Sequence, residues 1–290
     1  MEDTHCIICS RKDASTFITL NDRLKKTSQQ YHLVKCECGF LYLNPRPTIE
    51  EISYSYQSEY YDPHMKSFHG IWNRLYNYVQ QLALRWKYRI IKRFIQEGRL
   101  LDIGGGMGHF AKFIHDNGWY VKFQDSFVDL DRSEIGSLGV ADLSGLNSDI
   151  KFDVITLWHS LEHIHNIKYL FESLDDLLKD SGILMIAVPN LDAPERKYYK
   201  YTWAPYDAPR HLYHFNLNRL NELFRINGYD IIKKYSLYHD MPYNVLLSLP
   251  NYSPFQLMKA IYVITYSFFY TFCAGPEFSS SLLIVCRKSS

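Results

Sequence analysis

The stretch Leu101-Asp102-Ile103-Gly104-Gly105-Gly106-Met107-Gly108 sets an acidic side chain and closely spaced glycines between an apolar strand pattern and an apolar helix pattern. Glycines at 104, 106 and 108 let the main chain turn sharply where a strand ends. They also let a ligand approach backbone N–H groups at a helix start, which is the chemistry of a nucleotide-cradling turn. Asp102, just before the glycines, suits an amino group or hydroxyl of a nucleoside with an uncharged tail; facing a pyrophosphate it would meet like charge. Asp125 closes the apolar run Tyr120 to Phe123, ~20 positions past the glycines, where a carboxylate accepts both hydroxyls of a ribose in Rossmann sites. The alternative for Asp125 is plain capping of the next helix.

A second set of chemical residues lies near the amino end. Cys6 and Cys9 form a Cys-x-x-Cys pair, and Cys36 and Cys38 form a tighter pair followed by Gly39. Two close pairs separated by a loop read as a four-thiolate structural zinc site, with unpaired buried thiols as the alternative. Cys273 and Cys286 sit among apolar neighbours and read as core. The start Met1-Glu2-Asp3-Thr4-His5 carries no basic segment with an apolar core behind it, so a cytoplasmic, reducing compartment is expected. A net charge of +1 over 290 residues leaves no electrostatic footprint for a duplex nucleic acid.

The elements that position these residues follow from apolar periodicity. Residues 1–60 are expected to form a zinc-ribbon-like module and linker that contains Asn44-Pro45-Arg46-Pro47 and a tyrosine-rich connection. So small a module generally needs a metal or disulfide to fold. Ile71, Leu75, Val79, Leu82, Trp86, Ile90 and Phe94 recur at three- to four-residue steps and predict an amphipathic helix from about Phe68 to Glu97. Arg99 to Ile103, Tyr120 to Phe123, Phe152 to Leu157 and Gly182 to Val188 read as buried strands. Phe110, Phe113 and Ile114 read as one helix stopped by Asn117-Gly118, Ile167 to Leu178 as another, and Asn216 as the cap of a third that ends at Gly228. Tyr229 to Tyr238 and Ser281 to Lys288 read as two final strands. The expected fold is α/β: a Rossmann-like, seven-stranded, mainly parallel sheet with helices on both faces over 61–290, plus the small module. Ligands in such sheets gather beyond the carboxyl ends of the strands, where Asp102, Asp125 and His159 would meet.

An apolar helical insert at about 240–279 interrupts the last strands. Phe255 to Ala274 carries one charge, Lys259, and its core, Ala260 to Ala274, falls short of the ~20 apolar residues that span a bilayer. It is expected to lie on the catalytic face as a lid packed on its own domain, or to make peripheral contact with a membrane or lipid-linked substrate through 255–274.

Taken together, Leu101 to Gly108, Phe152 to Ile155 running into Leu157-Trp158-His159-Ser160-Leu161-Glu162-His163, Val188-Pro189-Asn190 and Pro209-Arg210-His211-Leu212-Tyr213-His214-Phe215 resemble the class I S-adenosylmethionine-dependent methyltransferases. More narrowly they are similar to bacterial members that carry an N-terminal cysteine-pair ribbon followed by Asn-Pro-Arg-Pro. The resemblance implies methyl transfer to a small or carrier-linked acceptor. Some relatives act on sugars or surface polysaccharide precursors, others on quinone precursors or small metabolites. It also implies that Asp102 and Gly104, Gly105 and Gly106 surround the methionine part of the cofactor, that Asp125 holds the ribose, that Asp142 with Leu143 lies against the adenine, and that His159 lies near the methyl group.

The sulfonium supplies the activated carbon, so the protein mainly positions the nucleophile and, for an alcohol, takes its proton. Histidine suits that task, with candidates His159, His163, His211 and His214. His159-x-x-Glu162-His163, with His214 from a later loop, is similar to a Glu-x-x-Glu-His pattern that holds a divalent metal in plant small-RNA 2′-O-methyltransferases. Metal-assisted deprotonation, metal-free histidine catalysis and structural hydrogen bonding therefore stay open. A catalytically silent relative that recruits partners is the competing class. Nicotinamide-dependent oxidoreduction is disfavoured by Asp102.

Overall fold

In a computed structural model, the described residues are 1–24, 28–56, 71–147 and 149–289. In chain order the elements are β1 (Ala14–Asn21), β2 (Gln30–Cys36), β3 (Leu41–Leu43), α1 (Ile49–Tyr56), α2 (Ile71–Ile91), β4 (Arg99–Ile103), α3 (His109–Asp116), β5 (Tyr120–Gln124), β6 (Gly139–Val140) and β7 (Phe152–Trp158). There follow α4 (Ile167–Leu177), β8 (Leu178–Pro189), α5 (Pro194–Tyr199), β9 (Tyr213–His214), α6 (Leu217–Ile226), β10 (Tyr229–Ser236), α7 (Asp240–Leu247), α8 (Pro254–Ala274) and β11 (Ser281–Lys288). Short 3-10 turns connect several of them.

Seven strands form one sheet in the order β10-β11-β8-β7-β4-β5-β6. The pairs β4–β5, β4–β7 and β5–β6 are parallel, whereas β10 and β11 run antiparallel at the edge. The expected seven-stranded, mainly parallel α/β sheet is therefore present. Its central strands read as apolar runs because both faces are covered: Leu100, Leu101, Val154, Ile155, Leu157 and Ile183 to Val188 are buried.

The chain divides into two compact units. One contains Ser53–Trp158 and Tyr169–Met185, and includes the glycine turn, β4 to β7 and α3. The other contains Met1–Ile52, His159–Lys168 and Ile186–Ser290. This division differs from a boundary at residue 60, and the reason is a long-range pairing. The cysteine-bearing segment contributes β1, β2 and β3 to a four-stranded sheet whose fourth strand is β9, with Leu41 opposite His214 and Tyr42 opposite Tyr213. The amino-terminal ribbon is thus built into the second unit. Phe40, Tyr42, Tyr213 and Phe215 stack beneath it, with Phe40 lying 5.6 Å from Phe215 and 6.1 Å from the other two rings.

Other boundaries shift for local reasons. The helix expected from Phe68 to Glu97 is α2, which ends at Ile91; Phe68 itself and most of the tyrosine-rich connection lie outside the described residues. Ile90 and Ile91 of α2 are buried, whereas Val79 and Leu82 are exposed. β8 starts at Leu178, four residues before the expected Gly182. Asn216 caps α6 by accepting from the Arg219 amide at 3.1 Å, as the capping pattern requires.

The apolar insert departs most from expectation. It forms the 21-residue helix α8, long and apolar enough to cross a membrane by length and composition. The run is therefore longer than the core read from the sequence. One stripe, Ala260, Val263, Ser267 and Thr271, is buried against its own unit, while Phe255, Met258, Ile261, Tyr262, Phe269 and Phe272 are each more than 60% exposed.

Candidate active site

Within the first unit, strand order reverses at β4, whose neighbours β5 and β7 lead to opposite edges of the sheet. Crevices at such reversals, beyond the carboxyl ends of the strands, are where α/β sheets bind nucleotides. Asp102 and Thr156 are register partners there on β4 and β7, and the Thr156 hydroxyl donates to Asp102 Oδ1 at 2.6 Å. The Asp102 carboxylate is 2% exposed, and burial pushes it up to about 6 against the pull of Thr156 and Lys87. Lys87 stands over the Trp158 ring at 4.3 Å and over Phe110 at 5.4 Å.

Gly104, Gly106 and Gly108 have φ of +70°, +56° and +78°, the left-handed backbone that glycine adopts without strain. A Cβ at Gly105 would come within 3.0 Å of Asp102 Oδ2 and 3.2 Å of Phe123, whereas a Cβ at Gly106 would meet nothing within 4 Å among the described residues. The loop is thus closed against the sheet at Gly105 and open outward at Gly106. Four of its amides are already used: Gly104 and Gly105 donate to Gln124 O at 2.8 and 3.0 Å, Gly106 donates to Asp125 Oδ2 at 2.9 Å, and Gly108 donates to Gly105 O at 3.0 Å. The amides of Phe127 and Val128 donate to Asp125 Oδ1 at 3.0 and 3.2 Å, so this carboxylate organises the glycine loop and a turn; no helix starts at those residues. Each carboxylate oxygen has two acceptor sites, so Oδ1 is filled and Oδ2 retains one for a ribose hydroxyl.

Asp142 accepts from the Ser144 amide at 2.9 Å and the Tyr169 hydroxyl at 3.1 Å, and Leu143 beside it is buried. A hollow of about 280 Å³ in the same unit is lined by Tyr120, Lys122, Val140, Leu146, Ile150 and Phe152 among others. It opens where β5 and β7 begin, at the end of the strands remote from the glycine turn.

The histidines belong to the other unit. His159 follows β7 with φ +53°, a left-handed conformation unfavourable for a side chain and of the kind stored at functional positions. Its Nε2 donates to Asp240 Oδ2 at 2.9 Å, and its Nδ1 lies 3.6 Å from Glu162 Oε1. Burial would lower this imidazole, but Asp240, with Glu162 adding, outweighs it and raises it to about 10. His159 is therefore an imidazolium at neutral pH, which conflicts with a role as proton acceptor.

Glu162 is 1% exposed, and neither of its oxygens has a hydrogen-bond partner among the described residues. Burial alone would raise it, but His159, then His211 and His163, draw it below the usual carboxylate range. His163 Nδ1 donates to Arg210 O at 3.0 Å, and His211 Nδ1 donates to Pro205 O at 2.7 Å. The two rings meet edge to face at 4.7 Å. Burial, then His211, pushes His163 down to about 4.

His214, on β9, is 4% exposed and pushed down to about 3 by burial and then His211; its Nε2 has no partner among the described residues. Glu162, His163 and His211, in contrast, bring one donor atom each to within 4.8 Å of one another. The structure thus groups His211 with Glu162 and His163 in the place expected of His214. Asp240 is the residue that sequence reasoning missed. It opens a helix 81 positions away from His159, with no local signal linking the two.

The four thiols gather as expected. Cys6 Sγ lies 3.6 Å from Cys38 Sγ, and Cys9 Sγ lies 3.4 Å from Cys36 Sγ. A disulfide requires about 2.05 Å. Tetrahedral zinc with bonds of about 2.3 Å sets sulfurs about 3.8 Å apart, close to the spacing seen. Gly39, at φ +92°, returns its amide to Cys36 O at 2.8 Å and makes the tight second pair possible.

A doubly wound sheet with a glycine turn and acidic residues ending its first two parallel strands defines a nucleotide-binding α/β enzyme. A family model described as a methyltransferase domain matches residues 75–234, more than half of the chain. The chain belongs to this family. No curated protein matches the sequence. Among solved structures, the Burkholderia thailandensis 1,6-didemethyltoxoflavin-N1-methyltransferase, with bound 1,6-didemethyltoxoflavin and S-adenosylhomocysteine, is similar at TM-score 0.52 and 16% identity over 92% of this chain and 98% of that one. Haemonchus contortus phosphoethanolamine N-methyltransferase 2, in complex with S-adenosyl-L-methionine, is similar at TM-score 0.45 and 19% identity over 71% of this chain. The chain covers 53% of that protein's length. At these identities the likeness concerns the fold.

Proposed function

We propose that the protein transfers the methyl group of S-adenosylmethionine to a small or carrier-linked acceptor of the sugar type. The observation that carries this reading is the glycine turn, open at Gly106 and tied to Asp125. Gly104, Gly105 and Gly106 would border the methionine part, Asp125 would hold the ribose through one hydroxyl, and Asp142 with Leu143 would border the adenine. Asp102 would support the turn from beneath, with Oδ2 beside Gly105. The cofactor supplies the activated methyl. The chain's residues orient the acceptor and manage its proton. Glu162, His163 and His211 would serve the acceptor, with His159 as a fixed positive charge and His214 as a buried support. A mixture of carboxylate and imidazole acceptors matches a ligand with several hydroxyl groups. Calorimetry on the full chain tests the reading: S-adenosylhomocysteine binding in the micromolar range is expected, and a folded protein that binds none refutes it. A catalytically silent relative would bind the cofactor poorly and methylate no sugar or quinone precursor.

The cysteine cluster would hold a structural zinc through Cys6, Cys9, Cys36 and Cys38. Its sulfur spacing and mixed burial support this. We also place the protein in the cytoplasm, with α8 resting on a membrane surface. The exposed apolar face of α8, whose only charge is Lys259, favours that contact. The buried stripe from Ala260 to Thr271 ties the helix to its own unit, which argues for lying on the surface over spanning.

A further inference from the structure

Lys87, on α2, stretches its ammonium over the Trp158 ring at 4.3 Å and over the Phe110 ring at 5.4 Å, both within the ~6 Å reach of a cation–π contact. The two rings are buried and meet edge to face at 5.6 Å. Trp158 ends β7 on the same sheet face as Thr156, two positions earlier, whose hydroxyl donates to Asp102 at 2.6 Å. The charge of Lys87 also reaches Asp102, where it opposes the upward push of burial. Two aromatic faces and a buried carboxylate thus surround one positive charge at the carboxyl ends of β4 and β7. Neighbouring contacts fix α2 there: the Tyr88 ring meets Phe113 of α3 edge to face at 5.9 Å, and Ile90 and Ile91 are buried.

Such surroundings attract a cation and repel an anion, because ring faces are electronegative and the carboxylate adds a full charge. They also adjoin the glycine turn, since Asp102 Oδ2 lies beside Gly105. The cofactor of the reading above brings a cation of its own. S-adenosylmethionine carries a sulfonium beside its zwitterionic amino-acid end and is a net cation, whereas S-adenosylhomocysteine, with a thioether sulfur, is neutral overall. A sulfonium donates no conventional hydrogen bond, so aromatic faces and carboxylates are its natural partners. Asp102 and Lys87 already balance each other, and a sulfonium therefore arrives here as a surplus positive charge. Lys87 is half-buried on a flexible four-carbon stem, so its ammonium is able to yield its position.

We propose that Trp158, Phe110 and Asp102 form the seat of the cofactor's sulfonium and that the Lys87 ammonium competes for it, so that Lys87 sets the preference between S-adenosylmethionine and S-adenosylhomocysteine. The proposal deepens the methyltransferase reading above and rests on it. Methyl transfer leaves the C–S electron pair on sulfur, turns the sulfonium into an uncharged thioether and frees a proton from a hydroxyl acceptor. The surplus charge leaves the seat with the methyl group, and the Lys87 ammonium then regains the two rings and Asp102 without repulsion. The chain is accordingly expected to hold the demethylated product more tightly than the methyl donor, and Lys87 to be the cause.

Calorimetry on the full chain, without an acceptor, measures the Kd of each compound in wild type, Lys87→Met and Lys87→Arg. Methionine keeps the length of the stem and removes the charge; arginine keeps the charge. In Lys87→Met the ratio of the S-adenosylmethionine Kd to the S-adenosylhomocysteine Kd is expected to fall ~10-fold, equivalent to about 1.4 kcal/mol. In Lys87→Arg the ratio should stay at the wild-type value. Lys87→Gln, which also removes the charge, gives the same reading where Lys87→Met does not fold. A ratio that Lys87→Met leaves unchanged, with S-adenosylhomocysteine still bound, overturns the sulfonium seat alone. Equal weakening of both compounds assigns Lys87 to the carboxylate they share and overturns it likewise. A folded wild type that binds neither compound refutes the methyltransferase reading, and the seat falls with it.

Discussion

Asp102→Asn is expected to make the protein more stable at neutral pH and a poorer binder of its cofactor. Asp102 is 2% exposed, and burial raises it from 3.8 to about 6. For a carboxyl raised on folding, the associated stability is fully present below the unfolded value and is lost as pH climbs through the folded one. At pH 7 the whole loss applies, about 2 units or ~3 kcal/mol at 1.36 kcal/mol per unit. Asparagine keeps the shape and an Oδ1 to accept the Thr156 hydroxyl, now 2.6 Å away, without a charge to bury. Its amide hydrogens need acceptors, so a net gain of ~2 kcal/mol is the reasonable expectation. Thermal melts at pH 4 and pH 7 measure it: the variant should exceed wild type by several degrees at pH 7, and the gap should close towards pH 4. Calorimetry with S-adenosylhomocysteine should show weaker binding. A variant no more stable than wild type at pH 7 refutes the charge-burial argument. One that is stabilised yet binds the cofactor unchanged refutes the claim that the charge is retained for the ligand.

Asp125→Ala removes the acceptor for Gly106 and for two turn amides, together with the proposed ribose contact; one lost charge-assisted bond of about 1.5 kcal/mol predicts a ~10-fold weaker S-adenosylhomocysteine Kd by calorimetry. Arg210 is fully buried between Asp22, at 3.0 Å, and Asp207, at 2.8 Å, so Arg210→Met strands two carboxylates and should cost about 3–5 kcal/mol in a urea titration. Chelation with EDTA is expected to release zinc and lower the melting temperature, and Cys36→Ser should abolish that response. Ile261→Glu with Phe272→Glu, both on the exposed face of α8, should abolish co-sedimentation with anionic phospholipid vesicles at unchanged melting temperature. Wild type that stays in the supernatant refutes the membrane reading.

The legible features are the local ones. Strand, glycine turn and helix around Leu101 to Gly108 follow one another within a few residues, and positive φ at Gly104, Gly106 and Gly108 is what their sequence demands. The cysteine pairs and the Asn216 cap are read the same way. What escaped detection depends on contacts far apart in the chain. β9 is two residues long, too short for a periodicity signal, yet it builds the ribbon into the unit that carries the histidines. Asp240 meets His159 across 81 positions, and Arg210 meets Asp22 across 188. α8 was legible as apolar. Its exposure was not, because burial depends on which neighbours arrive.

The carboxylates of the two units differ in how they are satisfied, and the difference bears on their roles. Asp125 accepts from three backbone amides, so its charge is balanced by the chain's own dipoles and its geometry is set before any ligand arrives. Such preorganisation suits an invariant ligand, which a cofactor is. Glu162 has no comparable amides; it faces imidazoles instead. Imidazoles change charge and ligation near neutral pH where amides do not. The Asp240–His159 ion pair keeps one of them positive. Substituting Asp240 with Asn should therefore lower the His159 pKa towards its ordinary value and give the pH profile of methyl transfer a new inflection near 6.5, while loss of His214 should not.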